Sequence, residues 1–313
     1  MNKVGLFFFV TFLPLSLGFL ARRQGFLKEE RGKFLFLIGM IFFESPIVVL
    51  ILWKLTLNRD YLYLPLLGFS LVLFAGLTGF GFAKKLFREK KEQGAMVLAS
   101  ALSNQGFLLG GFICFLFFGQ EGYALSVVYI LYFHFTIFFI CFPVARYFSS
   151  SETISLLKMI RNTLFDIRSL PMLALIFGVL LNLLNVPFSE QLTGILDFVI
   201  PFTTFYFMFS IGLQLRLEFS YFFRREAYII WLIKFILTPL LAYLIILYTG
   251  MKGLVAKIIF IESFTPAAAY SIMISTLFDL DKALASRLFV TSTLFFLFII
   301  FPIVVFLLNV LTF

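Results

Sequence analysis

Apolar runs of about 17–25 residues recur from one end of the chain to the other, separated by short clusters of lysine and arginine. An α-helix needs a run of that length to cross the hydrocarbon of a bilayer. Inside lipid every backbone N–H and C=O must be satisfied within the protein, so a spanning chain forms helices or a closed barrel. The runs here are continuous blocks, not the short alternating strands of a barrel. Of the 313 residues, 62% are hydrophobic and only 13% charged, with a mean hydropathy of +1.06. A soluble domain is about half apolar and a quarter charged, so this chain cannot cover itself with polar surface. The sequence therefore predicts an all-α polytopic membrane protein, with the lipid bilayer as its main partner.

Ten spans can be placed, at about 5–21, 34–53, 61–83, 95–118, 122–145, 169–186, 192–213, 227–249, 253–277 and 284–310. Nineteen of the 25 lysines and arginines fall in alternate loops. The opposite side holds Lys3, Lys54, Arg59, Lys252 and Lys257, and Lys234 lies inside the eighth span. This bias orients the chain with both termini extracytoplasmic, in the cell (inner) membrane. It also accounts for the net charge of +9 without nucleic acid. The N-terminal "MNKVGLFFFVTFLPLSLGFLARRQ" lacks an A-x-A-like cleavage site and is followed by two arginines, so it reads as a first span, not a signal peptide. Cys114 and Cys141 both lie in apolar runs and read as small buried hydrophobes.

The longest connection, "SSSETISLLKMIRNTLFDIRS", spaces apolar residues three to four apart and reads as an interfacial amphipathic helix. It divides the chain into a first five-helix repeat (1–147), a linker (148–168) and a second five-helix repeat (169–313). An odd number of spans per half inverts the second repeat. The halves share punctuation in the same order: "LPLSLGFL" and "LPMLALIFGVL", Pro46 and Pro201, "SALSNQGFLLGGF" and "IESFTPAAAYSIM". Inverted repeats with interrupted helices at matching places point to a secondary transporter and its site.

The stretch "IESFTPAAAYSIM" breaks an apolar run with Pro266, one turn after Glu262. Proline lacks an N–H and clashes with the carbonyl one turn back, so a kink or break is expected near 262–266. Gly106, Gly110 and Gly111 offer a second break in span four. The two second half-helices would then direct their positive ends at one midplane cavity, a site for a carboxylate or other small organic anion. Candidate binding residues are Asn104, Gln105, Gly106, Gly110 and Gly111 with Thr265, Pro266 and Ala267. Glu262, Glu44 and Lys234 are charges at membrane depth and candidates for a coupling ion or charge relay, since such charges are costly and commonly functional. Glu262 could bind a proton or sodium ion, pair with Lys234, or serve backbone freed by Pro266. Asn104 and Gln105 could instead be helix–helix glue, Lys234 could snorkel, and His134 reads as packed on an aromatic stripe. Asp197 reads as interfacial. The sequence holds no metal-spaced His/Cys/Asp cluster, no Gly-rich phosphate loop and no G-x-S-x-G, so no catalytic residue, metal or enzyme activity is expected.

"ASALSNQGFLLGGF", "IRSLPMLALIFGVLLNLL", "VIPFTTFYFMFSIGLQL", "KFILTPLLAYL" and "ESFTPAAAYSIMISTLFDLDKALASRLFVTSTL" together resemble the auxin efflux carrier family of permeases, over essentially the whole chain. The resemblance implies ten helices as a 5+5 inverted repeat, related in fold to bile acid:sodium symporters, with broken helices four and nine crossing at the site. It implies site roles for Asn104, Gly106, Phe107, Pro266 and Lys234. The span-four proline usual in the family is absent, with Gly111 near its place, and Glu262 stands where the family usually has a small or apolar residue. The expectation is alternating-access transport of a small organic anion, coupled to a proton or sodium ion, with homodimerisation possible. The rivals are a membrane-embedded ligand sensor and a cation exchanger on a related fold.

Overall fold

The computed structural model describes residues 3–149, 170–215 and 219–310. They form α1 (Lys3–Arg23), α2 (Glu29–Lys54), α3 (Arg59–Leu86), α4 (Lys90–Ala101), α5 (Leu109–Phe148), α6 (Leu170–Leu183), α7 (Gln191–Gln214), α8 (Arg225–Thr249), α9 (Gly253–Ser263), α10 (Ala269–Leu277) and α11 (Lys282–Val310). No strand appears among the described residues. Seven helices, α1, α2, α3, α5, α7, α8 and α11, are long and apolar enough to cross a membrane. α4, α9 and α10 have 12, 11 and 9 residues, about 18, 17 and 14 Å at 1.5 Å per residue, too short to cross alone. α5 turns sharply within its length at Gly119, whose φ of 66° suits a residue without Cβ. The amphipathic helix expected at 154–167 lies outside the described residues.

Four helices contain a widened, π-helical turn: Met40–Glu44, Ile137–Cys141, Ile233–Leu237 and Phe296–Ile300. Each is followed within two residues by a proline: Pro46, Pro143, Pro239 or Pro302. Proline has no N–H for the carbonyl behind it and its ring crowds that carbonyl; widening the turn relieves the clash and leaves an acceptor over. In two cases the hydroxyl before the proline takes it. Ser45 Oγ donates to Met40 O and Thr238 Oγ1 to Ile233 O, each at 2.7 Å. Glu44 and Lys234 both sit in such turns.

The chain gathers into two compact units, each taking helices from both halves of the sequence. In the first (3–58, 106–127 and 170–215), α1 packs on α7 and α6 on α2. Both contacts are backbone-close at glycine. A Cβ on Gly18 would stand 2.2 Å from Phe209 O, and one on Gly212 2.2 Å from Leu15 O. A Cβ on Gly178 would stand 2.9 Å from Val49 O. Small residues let helices touch where lipid offers no hydrophobic drive to associate. Polar side chains fasten the helix ends. Asn182 Nδ2 donates to Leu52 O and Trp53 O at 2.9 and 3.0 Å. Lys54 Nζ donates to Gln120 Oε1 (2.8 Å) and Thr193 Oγ1 (3.1 Å), and Gln120 Nε2 donates to Asp197 Oδ1 (2.7 Å).

The second unit (59–105, 128–149 and 219–310) holds α3, α4, the rest of α5 and α8 to α11. α11 packs on α4, α8 and α10, and α4 lies against α3. Lys91 pairs with Asp279, tying the start of α4 to the end of α10.

Candidate functional site

α9 ends at Ser263 and α10 begins at Ala269, with Pro266 between them. The carbonyl that a helical residue 266 would have served belongs to Glu262. It is not left bare: Thr265 Oγ1 donates to it at 2.8 Å and Gln105 Nε2 at 3.1 Å. Thr265 is fully buried, so its hydroxyl would be costly without this bond.

α4 stops at Ala101 without a proline. Leu102 is extended (φ −81°, ψ 129°) and Gly106 takes φ 70°. The two interrupted segments pair side by side in antiparallel fashion through Ser103 and Ala267. Asn104 N–H donates to Pro266 O at 2.8 Å and Ala268 N–H to Leu102 O at 3.0 Å. Ala267 N–H donates to Ser292 Oγ of α11 at 3.2 Å. Each break thus supplies partners for backbone groups released by the other, as non-helical backbone at membrane depth requires.

Lys234, 1% exposed, reaches this pairing from the widened turn of α8. Its Nζ donates to Leu102 O (3.1 Å) and Ser103 Oγ (2.6 Å). That places the Lys234 nitrogen at the C-terminal end of α4, where the last carbonyls lack intrahelical donors. Snorkelling is not its role here.

Gln105 is the hub on the other side. Its Oε1 accepts from Tyr132 Oη at 2.5 Å, and its Nε2 lies 3.4 Å from Tyr129 Oη as well as bonding Glu262 O. Glu262 is fully buried, with its carboxyl in electrostatic reach of both tyrosines. Asn104 differs from its neighbour: it is 8% exposed, and its side-chain amide makes no hydrogen bond within the protein among the described residues.

Asn104, Gln105, Lys234, Glu262, Thr265, Pro266 and Ala267 therefore lie in one unit around one pair of breaks. Gly106, Gly110 and Gly111 follow along the chain and belong to the other unit. There, Gly106 O accepts from Ser126 Oγ at 2.9 Å, and a Cβ on Gly111 would stand 1.6 Å from Gly106 O. Glu44, 8% exposed, lies in that unit, in the widened turn of α2. His134 packs with Phe133 and Phe138 (ring centroids 5.7 and 6.4 Å apart), and both cysteines are buried and outside any disulfide. Among the described residues no group of three His, Cys, Asp or Glu side chains could hold a metal ion.

Sequence reasoning missed Ser103, Tyr129, Tyr132 and Ser292. The tyrosines carried a signal: two phenols three residues apart in an aliphatic stretch, one face of a helix. The serines carried none, because each owes its role to a contact more than a hundred residues away, or to a backbone break on another helix.

Residues 7–304 match the profile of a family described as membrane transport protein. An uncharacterized transporter of Methanocaldococcus jannaschii is 28% identical over 294 residues, covering 91% of this chain and 92% of that protein. The match runs through both units and both helix breaks, and by it the chain belongs to the membrane transport protein family, the auxin efflux carrier family of permeases.

Proposed function

We propose that this chain is a secondary transporter that carries a small organic anion of the carboxylate type across the cell membrane by alternating access. The observation that carries the reading is Asn104. Asn104 is more than nine-tenths buried beside two interrupted helices, and its amide makes no hydrogen bond among the described residues, while the side chains of its neighbours Ser103 and Gln105 do. An amide donates well to a carboxylate. The family supports transport as the class of activity.

The same reading counts ten crossings. α4 with residues 109–118 makes one interrupted crossing, residues 120–148 the next, and α9 with α10 another. The remaining long helices and α6 supply the rest, with both termini extracytoplasmic and the halves inverted. The repeat gains support from the widened turn followed by Phe-Pro in each half, at 137–143 and 296–302. Both sit in the last crossing of their half.

The test is uptake of a panel of radiolabelled mono- and dicarboxylates into proteoliposomes. At least one should be accumulated, and Asn104→Ala should lower its apparent affinity about ten- to hundredfold, the range for losing a hydrogen bond to a charged group. Binding without uptake would instead favour a sensor. A cation exchanger has one observation in its favour, the fully buried Glu262 carboxyl. Ion fluxes driven by a proton or sodium gradient with no organic anion present would establish that reading in place of ours.

A further inference from the structure

Within the second unit, a cavity of about 680 Å³ opens where α3 ends and α8 begins. Its walls are residues 85–87, 223–226, 228 and 229. Lys85, Arg224 and Arg225 stand around it, all exposed, and none of their side chains has an ion-pair or hydrogen-bond partner among the described residues. The one acid in the wall, Glu226, is already 3.8 Å from Arg287. α8 opens into the same region with Arg224 extended (φ −86°, ψ 147°) and no side chain capping its first turn, which adds partial positive charge. Beside the cations, Phe223 and Tyr228 are 77% and 52% exposed. The tendency of one membrane side to carry lysine and arginine explains why three cations are near. It does not explain why they surround a hollow with an aromatic rim whose one acid among the described residues, Glu226, is already paired with Arg287.

We infer that this cavity binds an anionic phospholipid by its phosphate, with Lys85, Arg224 and Arg225 as the charge clamp and Phe223 and Tyr228 against the lipid's apolar part. Guanidinium groups match phosphate oxygens in bidentate geometry, and basic hollows between helix ends at the cytoplasmic surface suit phospholipid headgroups. A free anion would use the same cations but would gain nothing from the exposed aromatics. The site shares no residue with the paired breaks, so it does not depend on the transport reading.

The test is native mass spectrometry of the detergent-purified full chain, titrated with phosphatidylglycerol and, separately, with phosphatidylcholine. Wild type should retain phosphatidylglycerol preferentially. Arg224→Ala/Arg225→Ala should weaken that binding roughly fivefold for each cation removed. Arg31→Ala/Lys33→Ala, which removes the same charge from the start of α2 on the lysine- and arginine-rich side, should leave the preference intact. Inorganic phosphate at millimolar concentration should not displace the lipid. Equal binding of both lipids by wild type would overturn the inference, as would a loss in the control variant as large as in the pocket variant. Displacement by phosphate alone would show a simple anion site in place of a lipid site.

Discussion

Glu262 has two chemistries that the fold separates. Its backbone carbonyl is the acceptor stranded by Pro266, and that demand is met by Thr265 and Gln105. The carboxyl is thus not needed to repair the break, yet it is held fully buried, at the expense of desolvating a charge unless a proton or cation accompanies it. If it carries the coupling ion, Glu262→Gln keeps shape and hydrogen bonding but cannot titrate or attract a cation. Energised accumulation should fall at least about tenfold while ligand binding persists. Where the ion is a proton, wild-type accumulation should decline as external pH rises, and the variant's should stay flat. Parallel pH and sodium responses in the two proteins would assign Glu262 a packing role. The sequence exposed this residue because a carboxylate in an apolar run is conspicuous. It did not expose the division of labour, which depends on Gln105, 157 residues away.

At the scale of the element, the two breaks have different causes, and that explains which was easier to read. Pro266 forbids a helix by its own covalent structure. In α4 no residue forbids one; the break rests on Gly106 at φ 70° and on the pairing with residues 266–268. The three glycines in "SNQGFLLGGF" hinted at a break without fixing its place. Gly111 reports how tight the turn is, since any Cβ there would lie 1.6 Å from Gly106 O, far inside contact distance. Gly111→Ala should therefore destabilise the folded protein by about 1–3 kcal/mol or more, the usual cost of overpacking, and Gly111→Leu should abolish uptake while the protein still inserts. Gly81→Ala, on an open surface with nothing within 4 Å of the added carbon, is the matched control and should change neither. Thermal unfolding in detergent and uptake in vesicles check the pair; a Gly111→Leu protein with normal uptake would remove this turn from the site. The widened turns were half legible: Pro46, Pro143, Pro239 and Pro302 are visible in the sequence, but a proline can kink, break or widen a helix. The choice is made by neighbours such as the Ser45 and Thr238 hydroxyls.

For the molecule as a whole, helical class was legible from hydropathy alone, whereas the grouping of helices was not. The two units interleave the halves of the chain, and no periodicity records which apolar face meets which. Orientation is where sequence and structure can be tested together. α3 and α8 occupy the same place in the two proposed repeats, and the distribution of lysine and arginine predicts that they cross in opposite directions. Position 60 at the start of α3 and position 252 after α8 should then face outward, and positions 89 and 220 inward. All four residues, Asp60, Lys252, Glu89 and Ser220, are exposed, while native Cys114 and Cys141 are buried and should give little background. In intact cells a membrane-impermeant maleimide should label Asp60→Cys and Lys252→Cys. Glu89→Cys and Ser220→Cys should react only after permeabilisation. If positions 60 and 220 react from the same side, the helices run parallel and the inverted repeat fails. If all four reverse together, the repeat survives and the termini are cytoplasmic. The labelling pattern thereby separates the symmetry of the chain, which governs how two helix breaks can meet at one depth, from its polarity in the membrane.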